Sequence, residues 1–243
     1  MISDSNFENI DSHYVKIVKT TPKVSQEQLL SFRRCYLGIS IDNPVFYGKA
    51  LQALLLWAME NFDQSLVVIG DYLRRYNEQI FNGLQGDKAV KASLDAGDLF
   101  ILQTSRLFEK LDKEKFTISR WKPCLETDVF KESKAAIDDL FNSDTNFKTA
   151  VTRDAFSFAK RQARQKRTLA IPMEDAIELS SQYLMEEIAV FNALSEQGWN
   201  VELYPGPELR VLVDIAKGKY LHIPKGLKKR INVELQICES RTD

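Results

Sequence analysis

Ser40 is the residue of this chain best placed to act as a nucleophile. It closes the run Gly38-Ile39-Ser40, directly after a short apolar stretch that starts at Cys35, and Asn43 follows three positions on. A second group is Tyr183 and Glu187, four apart and so on one helical face. Leu179 and Val190 extend that face, which is otherwise apolar. A carboxylate in such a setting is costly unless it is paired. The neighbouring Glu186 is turned by about 100° and is read as the solvated one. A third group is Leu203-Tyr204-Pro205-Gly206-Pro207, a strand end feeding a tight turn, from which Tyr204 can reach a pocket. Each has a plainer reading. Ser40 fits a helix N-cap, Glu187 a helix edge open to water, and Tyr204 a packing residue. A Ser–His–Asp triad would have to use His13 or His222, the two histidines of the chain, and neither lies in a supporting motif. Ser40 therefore needs activation from elsewhere, or an acyl donor that is already activated.

The elements around Ser40 decide where it sits. Cys35 to Ile39 reads as a strand, Phe46 to Ala58 carries apolar residues at helical spacing, and Leu66 to Ile69 is an unbroken apolar run. Such a run marks a strand buried on both faces. Strand, helix and strand of these lengths form a βαβ unit with parallel strands. Ser40 then lies at the carboxyl end of the first strand, where open α/β sheets bind ligands. Beyond it, residues 1–30 read as a polar arm with some strand character and a helix start at Ser25. A helix is expected from Lys88 to about Lys113 and a strand from Phe116 to Trp121. Helical patterns recur at 129–141, 146–168 and from Pro172 to Gln197, with Gly198 as the stop. Val201 to Tyr204 and Ile231 to Ile237 read as strands, with a short helix after Pro207. Alternating strands and helices give a single α/β domain over 1–243. The expected fold is a mostly parallel, Rossmann-like sheet with helices on both faces.

Composition narrows the function. The formal net charge is −1, so any attraction to nucleic acid must be local. No apolar run approaches the roughly 20 residues that span a bilayer. The first residues are polar, without a basic-then-apolar leader. Cys35, Cys124 and Cys238 are too few and too scattered for a disulfide framework or a zinc site. A reducing, cytoplasmic setting is expected, with no membrane partner and no DNA partner.

Taken together, the three groups resemble the cyclodipeptide synthases, which make cyclic dipeptides from two aminoacyl-tRNAs. The resemblance rests on Gly38-Ile39-Ser40 with Asn43, Phe46, the helix containing Trp57, and the strand ending at Asp71. It continues through Tyr183, Glu187 and Phe191 to Tyr204. It is strong over 35–77 and 180–212. It implies a fold similar to the class I aminoacyl-tRNA synthetase catalytic domain. By this resemblance Ser40 is the nucleophile that holds the first aminoacyl group as an ester. Glu187 binds the α-ammonium of that group and Tyr183 helps to hold it. Tyr204 positions groups and moves protons during dipeptide formation, and Gly38 leaves room beside the nucleophile. Asn43 marks one subfamily, whereas Tyr204-Pro205 marks the other, so the chain mixes the two patterns. By register, Tyr36, Gly38, Val68, Val190 and Glu202 match positions lining the first aminoacyl pocket. A buried carboxylate at Glu202 needs a partner, which implies a polar first amino acid, with a cationic one such as His or Arg as the finer expectation; alternatively a one-residue register shift turns it out of the pocket.

The chemistry is compatible with a site without cofactor or metal. An aminoacyl ester is already activated, and a glutamate can fix a cationic amine by a charge-assisted hydrogen bond. The attacking amine must lose a proton, and Glu187 and Tyr204 are the ionisable groups at hand. Two aminoacyl-tRNAs are the expected partners of a monomer, with downstream tailoring enzymes acting on the product. Well-known members carry a strongly basic helix at the position of 88–113; here that stretch is mixed in charge. Basic density lies instead at Lys160, Arg161, Arg164, Lys166 and Arg167, and again at Lys225, Lys228, Lys229 and Arg230. Either cluster fits a tRNA contact or a merely solvated face. Two other classes compete: a serine hydrolase or acyltransferase using a histidine, and an inactive tRNA-binding module. No glycine-rich phosphate loop supports a nucleotide-binding protein.

Overall fold

The computed structural model describes residues 13–164 and 168–239. Six strands form one sheet: β1 (His13–Thr21), β2 (Arg34–Ile39), β3 (Gln64–Ile69), β4 (Phe116–Arg120), β5 (Val201–Tyr204) and β6 (Ile231–Glu239). Their spatial order is β1-β6-β5-β2-β3-β4. All neighbours run parallel except β1 and β6, which are antiparallel. From β2 the chain winds outward through β3 and β4, then returns to lay β5 and β6 on the other side of β2. The order reverses between β2 and β5, and in doubly wound sheets the carboxyl ends of the strands beside such a reversal are where ligands bind.

The helices are α1 (Gln26–Ser31), α2 (Gly48–Asn61), α3 (Arg75–Asn82), α4 (Gly86–Phe108), α5 (Trp121–Leu125), α6 (Asp128–Ser143), α7 (Thr145–Arg164), α8 (Met173–Glu196), α9 (Arg210–Ala216) and α10 (Lys225–Lys229). On one face of the sheet, Leu51, Leu54, Leu55 and Ala58 of α2 bury a helical stripe against Leu37, Ile39, Val67 and Ile69. Phe100 of α4 joins the same core. On the other face, Tyr36, Leu66 and Val68 pack beneath α8, with α6, α7 and α9 outside it. Full burial of each such aliphatic side chain contributes about 1.5–3 kcal/mol.

The polar arm carries the strand and the helix start expected of it: a nine-residue strand, β1, and a helix, α1, in which Ser25 and Gln28 form a reciprocal capping box. Several other boundaries differ from expectation. Residues 71–84, unassigned from sequence, hold a 3-10 turn and α3, which ends at Gly83 with φ 65°. The helix expected to reach Lys113 stops at Phe108. Strand β4 ends at Arg120, and Pro123 lies inside α5 rather than in a loop. Helix α8 stops as expected, with Gly198 in the left-handed region at φ 88°.

Candidate active site

Ser40 follows the last residue of β2, and its surroundings are fixed by neighbours on both sides. The Gly70 amide donates to the Ile39 carbonyl at 2.9 Å, and a Cβ at Gly70 would lie 3.0 Å from that oxygen, so any larger residue would press on the end of β2. The Asn43 amide donates to the Ser40 carbonyl at 2.9 Å and closes the turn. Asn43, not Ser40, is the N-cap here: its Oδ1 accepts from the Val45 amide at 3.2 Å, with Pro44 starting the 3-10 turn Pro44–Phe46. The capping explanation for Ser40 therefore fails. Neither histidine serves it. His13 lies on β1, separated from β2 by β6 and β5, and His222 is exposed in the segment before β6.

Above the strand ends, α8 supplies Tyr183 and Glu187, and β5 supplies Tyr204. Both α8 residues keep some surface open to solvent while protein encloses them. Burial pushes the Glu187 carboxyl up to about 8, repulsion from Glu202 adds to the rise, and Arg230 partly offsets it. Among the described residues Glu187 makes no ion pair. Burial also raises the Tyr183 phenol, and the charges of Glu187, Tyr204 and Asp42 raise it further. The Tyr204 phenol is raised by burial and by Glu187, and lowered by a hydrogen bond from the Asn43 side chain. These mutual influences put Tyr183, Glu187 and Tyr204 in one enclosure beside the Ser40 turn. The Tyr204 ring packs on Phe46 at 6.0 Å, and Gly206 leaves room for it: a Cβ there would lie 3.1 Å from the ring.

Alternation along the strands sets Tyr36 and Gly38 on the face that α8 covers. Gly38 pairs in register with Val68, and Tyr36 with Glu202. A Cβ built on Gly38 meets nothing within 4 Å, so open space lies just below Ser40. Val190 and Phe191 roof this side, with the Phe191 ring 5.9 Å from Tyr36. The structure thus brings Tyr36, Gly38, Val68, Val190 and Glu202 to one side of the sheet, and the register shift that would have turned Glu202 outward does not occur.

Three expectations are corrected. Glu202 is 4% exposed and already carries its own cation: Arg230 donates Nε to Oε2 at 2.8 Å and Nη2 to the same oxygen. Arg230 also pairs with Glu208 and gives Nε to the Tyr36 hydroxyl at 3.3 Å. Arg230 is 5% exposed, so this guanidinium is not part of a surface basic cluster. Glu186, read as solvated, is also buried, and it is bonded by Arg75, Tyr76 and Trp121. A signal for it existed. Leu184-Met185 and Ile188-Ala189 flank the pair of carboxylates, and a helix apolar all round has no solvated side.

The basic clusters fall at opposite ends of the sheet. Lys160 and Arg161 are exposed near the carboxyl end of α7, and the Arg161 charge lowers the Tyr204 phenol. The Arg164 side chain, Lys166 and Arg167 lie outside the described residues. Lys225, Lys228 and Lys229 are exposed on α10, which leads into the amino end of β6, away from Ser40. Among the described residues, no three His, Cys, Asp or Glu side chains converge as a metal site, and no helix is long and apolar enough to cross a membrane.

Comparison with known proteins bears on this arrangement. No curated protein sequence matches the chain. A cyclodipeptide synthase from Fluoribacter dumoffii superposes with a TM-score of 0.80 at 19% identity, covering 93% of this chain and 98% of that one. A Mycobacterium tuberculosis protein, described as demonstrating that cyclodipeptide synthetases are related to type I tRNA synthetases, gives 0.69 at 15% identity over 94% of each chain. A cyclodipeptide synthase from Candidatus Glomeribacter gigasporarum, solved bound to Phe-tRNAPhe, gives 0.58 at 14% identity over 84% and 86%. These likenesses show the fold. The family model for cyclodipeptide synthases matches residues 18–196, a span that contains Ser40, Tyr183 and Glu187. With most of its length matched, the chain belongs to the cyclodipeptide synthase family of tRNA-dependent aminoacyltransferases.

Proposed function

We propose that this chain makes a 2,5-diketopiperazine from two aminoacyl-tRNAs by a ping-pong route through Ser40. The Ser40 oxygen attacks the ester carbonyl of the first aminoacyl-tRNA. The ribose oxygen leaves with the serine proton, and an aminoacyl-Ser40 ester remains. The amine of that ester, once neutral, attacks the second aminoacyl-tRNA and expels its tRNA, leaving a dipeptidyl ester on Ser40. The terminal amine then attacks the ester carbonyl, closing the ring and returning the proton to Ser40. Each step exchanges one acyl bond for another, so neither nucleotide hydrolysis nor an external oxidant is required.

The observation that carries this reading is a carboxylate, Glu187, enclosed by protein without an ion pair among the described residues, on the face of the sheet where a Cβ on Gly38 would meet nothing within 4 Å. A cationic α-ammonium entering there supplies the partner that Glu187 lacks. Tyr183 holds the same group, and Tyr204, linked to Asn43, positions the reactants and relays protons. Tyr36, Gly38, Val68, Val190 and Glu202 form the first aminoacyl pocket. Its inner end is polar, which supports a polar first amino acid. Arg230 is shared between Glu202 and Glu208, so Glu202 has a partner before any substrate enters, and a cationic first amino acid is not required to pair it. Of the two basic clusters, the one with Lys160 and Arg161 lies on the Ser40 side, and it is assigned to the tRNA.

Expression in bacteria with mass spectrometry of the medium, beside Ser40→Ala, tests this. A cyclic dipeptide that vanishes in Ser40→Ala is expected, and its mass names both amino acids. A product that survives Ser40→Ala overturns the nucleophile. No product, together with no radiolabelled aminoacyl group trapped on Ser40 from a full set of charged tRNAs, favours an inactive tRNA-binding module.

A further inference from the structure

Glu186, one residue before Glu187, is bonded from two other helices. It is 4% exposed. Arg75 of α3 donates Nη1 to Oε1 at 3.0 Å and Nη2 to Oε2. Tyr76, next on α3, donates its hydroxyl to Oε2 at 3.2 Å. Trp121, the first residue of α5, donates its indole Nε1 to Oε1 at 2.9 Å. Two-point guanidinium pairing fixes orientation as well as distance. A buried ion pair is a poor way to gain stability, since desolvation of both charges consumes most of the attraction, and apolar side chains would join these helices as well. What the arrangement adds is direction. It fixes the rotation of α8 about its axis and its height against α3 and α5.

That rotation matters because of where Tyr183 stands. Three residues before Glu186 and four before Glu187, it lies between the two carboxylates on the helix surface. Tyr76 closes the link: its hydroxyl is on Glu186 while its ring meets the Tyr183 ring edge-on, with centroids 6.2 Å apart and planes at 64°. A chain of contacts therefore runs from Trp121 and Arg75 through Glu186 and Tyr76 to Tyr183.

We propose that Glu186 is a positioning residue: anchored by Arg75, Tyr76 and Trp121, it holds α8 at the rotation that aims Tyr183 and Glu187 at the substrate amine. It touches no reacting atom. The proposal rests on the reading of Tyr183 and Glu187 as amine-binding groups.

The test is single-turnover transfer of a radiolabelled aminoacyl group from tRNA to Ser40, with binding of the same charged tRNA measured separately. Glu186→Gln preserves volume and removes the charge. Tyr76→Phe removes only the hydroxyl that ties Glu186 to the ring against Tyr183 and keeps the fold if Glu186→Gln does not. Glu186→Gln is expected to slow transfer by about 10- to 100-fold, the scale of a small misplacement of reacting groups. Its tRNA affinity is expected to stay within about twofold of wild type. Tyr76→Phe should show a smaller loss of the same kind. In a Glu187→Gln background, Glu186→Gln should cost little more, because the group it positions is gone. Variants that melt earlier but transfer at the wild-type rate per folded molecule, or that lose rate additively with Glu187→Gln, overturn the proposal. Failure of the wild type to label Ser40 overturns the functional reading and this proposal together; equal labelling by wild type and both variants overturns this proposal alone.

Discussion

The two flanks of α8 treat adjacent carboxylates in opposite ways. On the flank toward α3 and α5, Glu186 meets a guanidinium, a phenol and an indole, all supplied by the chain. On the flank toward the strand ends, Glu187 has no ion pair among the described residues, and its carboxyl is pushed up to about 8. Deeper on the same flank, Glu202 is again paired, by Arg230. Protein surrounds all three, although Glu187 keeps some surface open to solvent where Glu186 and Glu202 are buried. Where a buried charge serves the fold, the chain provides its counter-charge. Glu187 is the one left without such a counter-charge among the described residues, and under the proposed function a substrate amine would supply it.

The largest expected effect breaks the unpaired side. Glu187→Gln should slow aminoacyl transfer to Ser40 by about a hundredfold or more, the scale of losing one preorganised electrostatic partner. Wild-type kcat/KM should rise with pH as the carboxyl ionises near 8, and the variant should lack that limb. Stability moves the other way. The folded-state value lies above the ordinary 4.5, so the contribution of Glu187 is fully present below pH 4.5 and is lost as pH rises through about 8. Between pH 5 and 8, thermal melting of wild type should therefore fall relative to Glu187→Gln, with an upper limit of about 1.4 kcal/mol per pH unit.

Breaking the paired side gives the next effect. Arg75→Met strands the Glu186 carboxylate in a buried site and should cost about 3 kcal/mol in urea denaturation. A loss below about 0.5 kcal/mol, the size of an ordinary surface change, would mean that the two flanks differ less than their contacts suggest. The smallest effect extends the contrast to the two ends of the sheet. Lys160→Glu with Arg161→Glu should weaken tRNA binding about tenfold at moderate salt and flatten its salt dependence, while Lys228→Glu with Lys229→Glu should change neither. Filter binding across a salt series checks this, and equal losses from both pairs would show that tRNA spans both ends.

Much of the site was legible because its signals are local. Ser40 stands out where an apolar run stops and a helical period starts, Tyr183 and Glu187 share a face by spacing, and Tyr204 ends a strand whose bounds were read as they are. What stayed hidden depends on partners distant along the chain. Glu186 reads as solvated until Arg75, 111 positions away, arrives beside it. Arg230 reads as one of a run of surface cations until Glu202 and Glu208 take it inward. Helix α3 escaped because RYNEQIFN is short and mostly polar: its apolar stripe is only Tyr76 and Ile80, and its buried Glu78 is satisfied by Arg74 and Asn82.

The antiparallel edge of the sheet has a consequence for biosynthesis. Strand β1 pairs only with β6, its partner roughly two hundred positions later, a contact of high sequence separation that forms slowly. The first described strand to leave the ribosome must therefore wait for the last, about 10 s or more at ordinary rates of translation. Lys16 and Lys19 place charge along this edge strand, a feature that disfavours its pairing with other chains.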